Sequence, residues 1–460
     1  MAIGNSATAA TTIPRRIMPG PTLDPVITDD VLPQKAQVVI IGGGIIGIST
    51  ALFLAERGVK VVLCEKGVLA GEQSSRNWGW VRVMGRDRRE IPLAMASLRI
   101  WDTLDARTGG DTGFRRSGIL YVSETEEDIA NRDAWLKHAR DHGVDSRQIG
   151  TDETAALMAG AVSRYRGGLY TPSDGRAEPQ KAVPAIAAGA RRAGAHVVTH
   201  CAVRGIERSA GCISAVVTEK GRIEATTVVL AGGAWSRLFC KAVGIRLPQL
   251  KVRNTVLRTA PTEGGPGGAG ATSAYAYRKR LDGGYTIATA GANLHPVVPD
   301  TFAFYREFRP ARQAESESVQ VGLSAQSWRE LFELNPVPLD RPGAFERHRI
   351  LDPRPDPRSV LRAFKEVRKD LPALRGVEPV QIWAGLIDVT PDVVPVISHA
   401  DTLTGLVIAT GFSGHGFGIG PGAGHLVADL VTGDPPIVDP TPFRLSRFSD
   451  GSPIEIAPPV

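Results

Sequence analysis

The first clear pattern of apolar and polar positions is a strand, a helix and a second strand in close succession. Gln37–Ile41 is a short β-branched run, and Ile45–Arg57 has the spacing of a helix. Val59–Glu65 is another apolar run of strand length. Two strands joined by a helix over so short a distance are typical of a βαβ unit, which requires a parallel sheet. The sequence therefore predicts an α/β fold at its N-terminal end.

Further elements are predicted along the rest of the chain. Apolar stripes indicate helices over residues 89–108 and 359–371, and residues 181–193 form an alanine-rich helical pattern. Strands are predicted near residues 196–199, 213–218 and 227–230. The pattern of the first sheet returns in these strands, so we expect them to extend it.

This order of elements predicts two domains that are interleaved along the chain. The nucleotide-binding domain is expected to comprise residues 35–120, 170–250 and 380–435. The substrate domain is expected to comprise the inserted residues 121–169 and 251–379. Residues 1–34 are predicted to be a flexible N-terminal tail, and residues 436–460 a C-terminal tail.

Composition and charge exclude several classes of protein. Hydrophobic residues make up 42% of the 460 positions and charged residues 22%, which is ordinary for a globular protein. The net charge of +6 is small beside 54 basic and 48 acidic residues, and no long basic block occurs, so no nucleic-acid partner is expected. The run Val38–Ala55 is interrupted by glycines, so no transmembrane segment is expected.

The cysteines and the N-terminal residues bear on metals and location. The four cysteines have no CxxC spacing and no histidines at zinc-site intervals, so no metal site is predicted. They also indicate no disulfide framework, which suits a reducing compartment. Arg15 and Arg16 are followed by no apolar stretch, so neither a secretory nor a twin-arginine signal is complete. A cytoplasmic protein is therefore predicted.

Gly42, Gly44 and Gly47 form a GxGxxG turn between the first strand and its helix. Free N–H groups at a helix start bind the negative charge of a pyrophosphate, and glycine lets the backbone approach it closely. Glu65 follows about 20 residues later, where a carboxylate accepts hydrogen bonds from ribose hydroxyls. Because this carboxylate would repel a 2′-phosphate, NADP is disfavoured. The motif alone leaves the choice between NAD and FAD open.

Two later glycine clusters favour FAD. The strand Val228–Ser236 ends in Ala-Gly-Gly-Ala-Trp-Ser, and glycines alternate through Ala409–Gly424 before a helix predicted over Ala423–Val431. Each cluster offers backbone donors at a helix start. In a flavoenzyme such donors suit the N1–C2=O edge of the flavin, where negative charge gathers on reduction. A glycine-rich loop that only packs the C-terminal helix is the alternative.

Five separated motifs occur in a fixed order along the chain. They are Val38–Glu65, Ser74–Asn77 with Trp78–Trp80, Val228–Ser236, Trp383–Leu386 with Thr390–Asp392, and Gly411–Gly418. Together they resemble the D-amino acid oxidase superfamily of FAD-dependent oxidoreductases, which includes glycine oxidase, sarcosine oxidase and D-amino acid dehydrogenase. The resemblance covers residues 37–433. It implies an α/β (α+β) fold, with a glutathione-reductase-like FAD-binding domain and an inserted antiparallel-sheet substrate domain.

The resemblance also implies which residues bind the cofactor. Glu65 would hold the adenosine ribose, Ser74 and Ser75 would lie near the pyrophosphate or flavin, and the loop Ser413–Gly418 would wrap the flavin pyrimidine. No flavin-linking histidine or cysteine has a clear counterpart, so the FAD is predicted to be noncovalent. The full predicted set is Gly42, Gly44, Gly47, Glu65, Lys66, Ser74, Ser75, Arg76, Asn77, Gly79, Trp80, Val203, Ala231, Gly232, Trp235, Trp383, Gly385, Asp388, Gly414, His415, Gly416, Phe417 and Gly418.

Four residues are candidates for contact with the substrate or the reacting flavin. Arg82 stands where sarcosine-oxidase-like members place a basic residue under the flavin. Arg278 and Arg280 share one face of a predicted strand, and a guanidinium there can hold a carboxylate with two parallel hydrogen bonds. His415 is expected either to contact the flavin or to be a structural donor. Each arginine has an ordinary alternative as a salt-bridge partner.

One position departs from the family pattern. Many relatives carry an arginine where this chain has Ile387 and Asp388. An aspartate there would not make the usual substrate or flavin-edge contact and would suit a cationic substrate.

The predicted function is oxidation of the C–N bond of an amino acid or a related primary or secondary amine. Hydride passes to flavin N5, and water hydrolyses the resulting imine. The predicted acceptor is oxygen, or a quinone or other electron carrier, and a homo-oligomer is left open. Two alternatives remain: a flavin-binding subunit of a multi-component dehydrogenase without independent activity, and a flavin monooxygenase. The Gly-Asp pair expected in the second FAD motif of the monooxygenases is absent from the C-terminal region.

Overall fold

The computed structural model describes residues 20–289, 291, 293–314, 319–333 and 337–457. These residues form strands and helices that are numbered here in chain order. Strands β1 to β22 are Val38–Ile41, Val61–Cys64, Trp80–Val81, Arg115–Arg116, Ile119–Ser123, Arg147–Gly150, Gly167–Thr171, Gly175–Arg176, His196–Val198, Val203–Ser209, Cys212–Thr218, Gly221–Glu224, Thr227–Leu230, Leu250–Thr259, Ala269–Ala271, Ala276–Lys279, Tyr285–Ala288, Asn293–Pro296, Val319–Gly322, Pro379–Val389, Val396–His399 and Leu406–Thr410. Helices α1 to α13 are Ile45–Glu56, Gln73–Arg76, Ile91–Thr108, Glu126–Asp141, Thr151–Leu157, Pro179–Arg192, Ser236–Ala242, Pro299–Ala303, Tyr305–Ala314, Ala325–Glu333, Ala344–Arg347, Pro357–Asp370 and Gly416–Thr432. Short 3₁₀ turns lie at Gly233–Trp235, Pro372–Leu374, Thr441–Phe443 and Leu445–Phe448.

A six-stranded sheet has the order β21-β22-β13-β1-β2-β9. Its neighbouring strands are parallel except for the antiparallel pair β21 and β22. β1 and β2 are uninterrupted apolar runs, as strands covered on both faces require. Helix α1 connects them and packs against α6 and α13, so its residues from Ile45 to Ala55 are all buried. The predicted βαβ unit is therefore confirmed.

A larger, ten-stranded sheet has the order β19-β18-β14-β17-β16-β15-β5-β7-β6, with β20 also paired to β14. Most neighbours are antiparallel, but β15 pairs with β5, and β18 with β19, in parallel. The sheet is thus mixed, where an antiparallel sheet was predicted. Helix α12 covers one face, and its apolar stripe Val360, Phe364 and Val367 is buried together with Leu257 and Tyr277. Two small sheets, β10-β11-β12 and β3-β8-β4, complete the strands.

The two large sheets draw on separate segments of the chain. The strands of the six-stranded sheet lie within residues 35–120, 170–250 and 380–435. The strand β20, however, belongs to the other sheet: it pairs with β14 from Leu250↔Val389 to Thr259↔Pro379. It then continues through Thr390 towards β21, so it links the two sheets. The predicted fold class, a nucleotide-binding α/β domain with an inserted sheet domain, is confirmed.

Both terminal segments contact the region of the six-stranded sheet where the structure describes them. Asp29 accepts the N–H of Val197 at 2.7 Å and forms an ion pair of 2.6 Å with Arg191. These contacts tie Asp29 to α6 and β9, and residues 1–19 of the predicted tail lie outside the described residues. Near the C-terminus, Arg447 pairs with the buried Asp392 at 2.9 Å. No helix among the described residues combines the length and the apolar character needed to cross a bilayer.

Candidate functional site

A long cavity lies at the carboxyl ends of the parallel strands, where α/β folds bind ligands. Its walls come from the turn after β1, the end of β2, the segment from α2 to β3, the turn after β13, and the residues from β20 to the start of α13. Most of the predicted cofactor residues lie together in these walls. They are Gly42, Gly44, Glu65, Lys66, Ser74, Arg76, Asn77, Trp80, Val203, Ala231, Gly232, Trp235, Gly385, Asp388, Gly414, His415, Gly416, Phe417 and Gly418.

The turn between β1 and α1 requires glycine for close backbone approach. Gly42 has a φ of +109°, and a Cβ there would lie 2.4 Å from the carbonyl oxygen of Ala231. A Cβ on Gly47 would lie 2.0 Å from the carbonyl oxygen of Gly42. Gly47 does not line the cavity, so its contribution is to pack α1 against the turn. Gly44 and Ile45, at the helix start, do line it and suit a pyrophosphate.

Glu65 directly follows β2, and both of its carboxylate oxygens face backbone donors. Oε2 accepts the N–H of Gly43 and Oε1 that of Gly67, each at 2.7 Å. A carboxylate has about four acceptor sites, so about two remain for the hydroxyls of a ligand. Burial raises the pKa of Glu65, while Lys66 and the two N–H donors oppose that rise. The free acceptor sites at this end of the cavity fit the ribose hydroxyls of a dinucleotide.

A segment from the inserted part of the chain covers the cavity beside Glu65. Phe345 and Arg349 line it there. The ammonium of Lys66 donates to the carbonyl oxygen of Arg349 at 2.6 Å. The guanidinium of Arg349 in turn makes two hydrogen bonds of 2.6 Å to Glu219. Residues 345–349, which the sequence analysis did not connect with the cofactor, therefore close this part of the cavity.

Helix α2 joins the dinucleotide turn to the larger sheet. Ser74 Oγ accepts the N–H of Ile45 at 2.9 Å, which places the hydroxyl at the start of α1. Arg76 donates to the carbonyl oxygen of Ala384, in β20, at 2.8 Å. The short helix thus holds the two walls of the cavity together.

Three more predicted cofactor residues lie outside the cavity. The carbonyl oxygen of Ser75 accepts a hydrogen bond of 2.6 Å from Gln180 in α6. A Cβ on Gly79 would lie 2.7 Å from the Nε of Arg278, so this glycine makes room for that side chain. Trp383 donates from Nε1 to the carbonyl oxygen of Arg76 at 3.0 Å. Each makes a contact that supports the neighbouring structure, and their assignment as cofactor contacts stays a prediction.

The glycine-rich segment near the C-terminus forms a turn and then α13. Gly416, Phe417 and Gly418, in the first turn of α13, line the cavity. The first N–H groups of a helix have no partner within it and carry partial positive charge. The segment therefore packs α13 and also presents the start of α13 to a ligand. The predicted role as a set of backbone donors and the alternative role in packing the helix are compatible.

Asp388 is committed to contacts within the fold. Its carboxylate accepts the N–H of Gly411 at 2.7 Å, the amide of Gln249 at 3.0 Å and the hydroxyl of Thr410 at 3.1 Å. Burial raises its pKa. Asp388 lines the cavity but holds the turn before α13, so the expectation that it suits a cationic substrate has no support in this geometry.

Arg278 and Arg280 lie away from the cavity. Arg278 is 1% exposed and donates from Nη1 to Glu178 at 2.7 Å and from Nε to the carbonyl oxygen of Trp78 at 2.6 Å. Arg280 is paired with Asp282 at 3.0 Å. Both charges are matched within the fold, which corrects the prediction that one of these arginines holds a substrate carboxylate.

A cluster of basic side chains lines another part of the cavity. It contains Arg82, Arg86 and His415. The Nδ1 of His415 lies 3.2 Å from the carboxylate of Glu90, which is fully buried. Burial, with the charges of Arg86 and Arg82, lowers the pKa of His415 and favours the neutral ring. Arg82 donates to the carbonyl oxygen of Met84 at 2.5 Å.

Sequence reasoning missed several side chains that line the cavity. Arg86 is one of four arginines between residues 82 and 89, and no pattern marks it as the buried one. Trp78 precedes a predicted contact and lines the cavity with Trp80. Asn254 and Asn293 come from β14 and β18 and are joined by a hydrogen bond of 2.8 Å. The proximity of Trp78 to a recognised motif could have indicated this residue. No sequence pattern could have indicated the two asparagines, because they meet only through sheet pairing.

Asp174 holds the segment that carries Arg82 and Arg86, since its carboxylate accepts the N–H of Val83 at 2.7 Å and of Met84 at 3.2 Å. Burial raises its pKa to about 7. The folded protein therefore binds a proton on Asp174 more tightly than the unfolded chain does. The stability that this proton contributes is fully present below about pH 4 and is lost as the pH rises through about 7.

We expect the unfolding free energy of the parent protein, relative to that of Asp174→Asn, to fall by on the order of 3 kcal/mol between about pH 4 and about pH 8. Chemical denaturation of both proteins across this range measures it. A difference that stays constant with pH would contradict the assigned titration.

Comparisons with known proteins agree with this geometry. The family described as "FAD dependent oxidoreductase" matches residues 37–430. The solved structure of L-amino acid deaminase from Proteus myxofaciens, in complex with anthranilate, superposes with a TM-score of 0.90 at 32% sequence identity, covering 94% of this chain and 98% of that one.

Two sequence relatives differ in how much of their length is matched. Sarcosine oxidase subunit beta from an Arthrobacter species is 25% identical over 91% of this chain and 93% of its own. Dimethylglycine dehydrogenase from Homo sapiens is 23% identical over 90% of this chain but 45% of its own length. The chain therefore spans about half of the latter relative.

Proposed function

This chain belongs to the family of FAD-dependent oxidoreductases, and from that premise we propose that it oxidises the C–N bond of an amino acid or a related primary or secondary amine. When bound, FAD would supply the hydride acceptor, and water would then hydrolyse the resulting imine. The observation that carries the proposal is the cavity itself, which joins the dinucleotide turn at Gly42 and Glu65 to a chamber lined by aromatic and cationic side chains.

The protein's own groups supply positioning and charge. The start of α13 turns partial positive charge towards the cavity, where it would stabilise negative charge that develops on an accepting group. Trp78 and Trp80 pack edge to face with ring centroids 5.1 Å apart and line the same cavity. Apolar walls exclude water, which strengthens the electrostatic interactions of a bound substrate.

We propose that the FAD is held without a covalent link. Cys64 lines the cavity, but a hydrogen bond with Cys201 and burial raise the pKa of its thiol, which disfavours the reactive thiolate. His415 is held by Glu90 through its Nδ1. We also propose oxygen, a quinone or another electron carrier as the acceptor, and the cytoplasm as the location, since all four cysteines are free thiols.

A second candidate function is that of a flavin-binding subunit of a larger complex without independent activity. The observation that favours it is the similarity to a sarcosine oxidase subunit, which this chain matches over nearly its whole length. The two candidates differ in whether the isolated chain reduces its own cofactor.

We expect the purified protein to take up FAD and to lose its visible flavin absorbance when mixed anaerobically with a substrate amine. The measurement is a spectroscopic screen of D-amino acids, L-amino acids, N-methyl amino acids and cyclic imino acids. Bound flavin that none of these reduces would favour the subunit, and a folded protein that takes up no FAD would exclude both candidates.

A further inference from the structure

A second cavity lies where the ten-stranded sheet meets the start of α6. Its volume is about 220 Å³, and none of its lining residues, among those that the structure describes, also lines the cavity of the candidate functional site. The walls come from residues 21–24, the start of α6, the end of β14, the turn after β16 and the strand β20. Junctions between domains are preferred positions for ligand pockets, and drug-sized ligands fill about 300–1,000 Å³, so this cavity suits a smaller ligand.

Arg258 is a half-buried cation in the wall of the second cavity, with an unused hydrogen-bond donor. Its Nε is buried and has no acceptor among the residues that the structure describes. Burial and the positive charge of Arg280 lower the pKa of Arg258, while Asp282 opposes that shift. Buried polar groups are nearly always hydrogen-bonded, and an unpaired charge removed from water is costly. A ligand in the cavity beside Arg258 would supply the missing acceptor.

The large sheet fixes the direction of the Arg258 side chain. Arg258 lies opposite Thr286 in β17, and Thr286 lies opposite Arg278 in β16. Side chains of directly paired residues share one face of a sheet. Arg278 reaches from this face to Glu178, which directly precedes α6. Arg258 therefore points to the same side of the sheet, towards the start of α6.

The carboxylates in the wall of the second cavity do not neutralise Arg258, because each of them is paired with another basic side chain. The pairs are Glu178 with Arg278 at 2.7 Å, Asp282 with Arg280 at 3.0 Å, and Asp24 with Lys181 at 3.2 Å. Arg258 thus leaves one positive charge in excess. A ligand with one negative charge would balance it, and a guanidinium can donate two parallel hydrogen bonds to a carboxylate.

Gln180, in the first turn of α6, adds an unused acceptor to the same wall. Its Nε2 donates to the carbonyl oxygen of Ser75 at 2.6 Å, while its Oε1 is buried and accepts no hydrogen bond from the described residues. We propose that the second cavity binds a small carboxylate that also carries a hydrogen-bond donor. Arg258 holds the carboxylate, and Oε1 of Gln180 accepts from the donor. The 2-hydroxy and 2-amino acids have this chemistry, and the proposal does not depend on the proposed function.

Calorimetry with three small molecules tests both contacts: lactate, its neutral analogue lactamide, and propionate, which lacks the hydroxyl. We expect lactate to bind more tightly than either analogue, because lactamide has no charge for Arg258 and propionate has no donor for Gln180. Arg258→Gln should weaken the binding of lactate by about 10- to 100-fold. The matched control is Arg253→Gln, which should bind lactate like the parent. Arg253 lies in the same strand but outside both cavities, and it donates to the carbonyl oxygen of Arg354.

Flavin absorbance of the FAD-loaded protein, recorded in the same titration, distinguishes the two cavities. Lactate in the cavity of the candidate functional site would lie beside the flavin and change its spectrum, whereas lactate in the second cavity should leave the spectrum unchanged. The binding that Arg258→Gln removes should therefore be spectroscopically silent. If that binding changed the flavin spectrum, it would belong to the other cavity and the inference would fail.

Thermal unfolding separates ligand binding from a structural role of Arg258. Arg258→Gln removes a cation without a partner, so without ligand it should unfold at a temperature no lower than that of the parent. Lactate should raise the unfolding temperature of the parent and of Arg253→Gln, but not of Arg258→Gln. Equal binding of lactate and lactamide, equal loss in Arg253→Gln, or a lower unfolding temperature of ligand-free Arg258→Gln would overturn the inference. The absence of any lactate binding would overturn it as well, since water alone would then fill the cavity.

Discussion

Replacing Gly47 by alanine should abolish FAD binding. The new Cβ would lie 2.0 Å from the carbonyl oxygen of Gly42, and backbone at that distance must move. The movement would displace the turn between β1 and α1. A pyrophosphate needs the close backbone approach that this turn provides. The flavin content of the purified protein, taken as the ratio of flavin to protein absorbance, measures the effect.

The matched control for this substitution is Gly376→Ala. A Cβ on Gly376 meets no atom within 4 Å, so this protein should retain its FAD. Circular dichroism of both variants distinguishes loss of the cofactor from loss of the fold. If Gly47→Ala bound FAD as the parent does, the close packing of α1 against the turn would not be needed for the cofactor.

Glu178→Gln should lower the free energy of unfolding by about 3–5 kcal/mol, because it leaves the buried charge of Arg278 without its partner. The two side chains lie 2.7 Å apart and are 5% and 1% exposed. Burial alone would raise the pKa of Glu178, but Arg278 and Arg280 outweigh it and lower that pKa. Denaturant unfolding at neutral pH measures the loss.

Glu224→Gln provides the same change of side chain at an exposed ion pair. Glu224 pairs with Lys35 at 3.1 Å, with side-chain exposures of 54% and 76%. Exposed pairs of this kind contribute about 0–1 kcal/mol, so the control should unfold almost like the parent. If both variants lost equal stability, burial of the Glu178 pair would not be the cause.

Local patterns in the sequence were sufficient for the dinucleotide turn. The strand, the glycines and the helix that follow one another from Val38 to Glu56 are neighbours in the chain, so their spacing alone predicts how they meet. The same holds for α12, whose apolar stripe needs only the period of a helix. The position of Glu65 at the cavity follows from this unit.

Local patterns could not predict contacts between segments that are distant in the chain. Alternation along β16 showed that Arg278 and Arg280 share a face, but not that Glu178, 100 residues earlier in the chain, neutralises Arg278. Equally, nothing in the spacing of the arginines from 82 to 89 separates the buried Arg86 from the exposed Arg88. Which charge is matched within a fold depends on tertiary packing.

Helix α13 shows packing that overrides local propensity. The sequence favoured a helix from Ala423, since glycine is a poor helix former, but α13 begins at Gly416. A Cβ on Gly420 would lie 2.9 Å from Ile45, and one on Gly422 would lie 2.8 Å from Ser97. The glycines let α13 approach α1 and α3 closely, and this approach brings the helix start to the cavity.

The segment 345–349 has a consequence for how the flavin nucleotide enters and leaves. It covers the cavity beside Glu65 and is tied down by Lys66 and by the paired contacts of Arg349 with Glu219. A nucleotide beneath it can dissociate on that side only after these contacts have broken and the segment has swung outward. Under the proposed flavin site we expect the segment to slow dissociation of the nucleotide, so the loaded protein should keep its colour through dilution and dialysis.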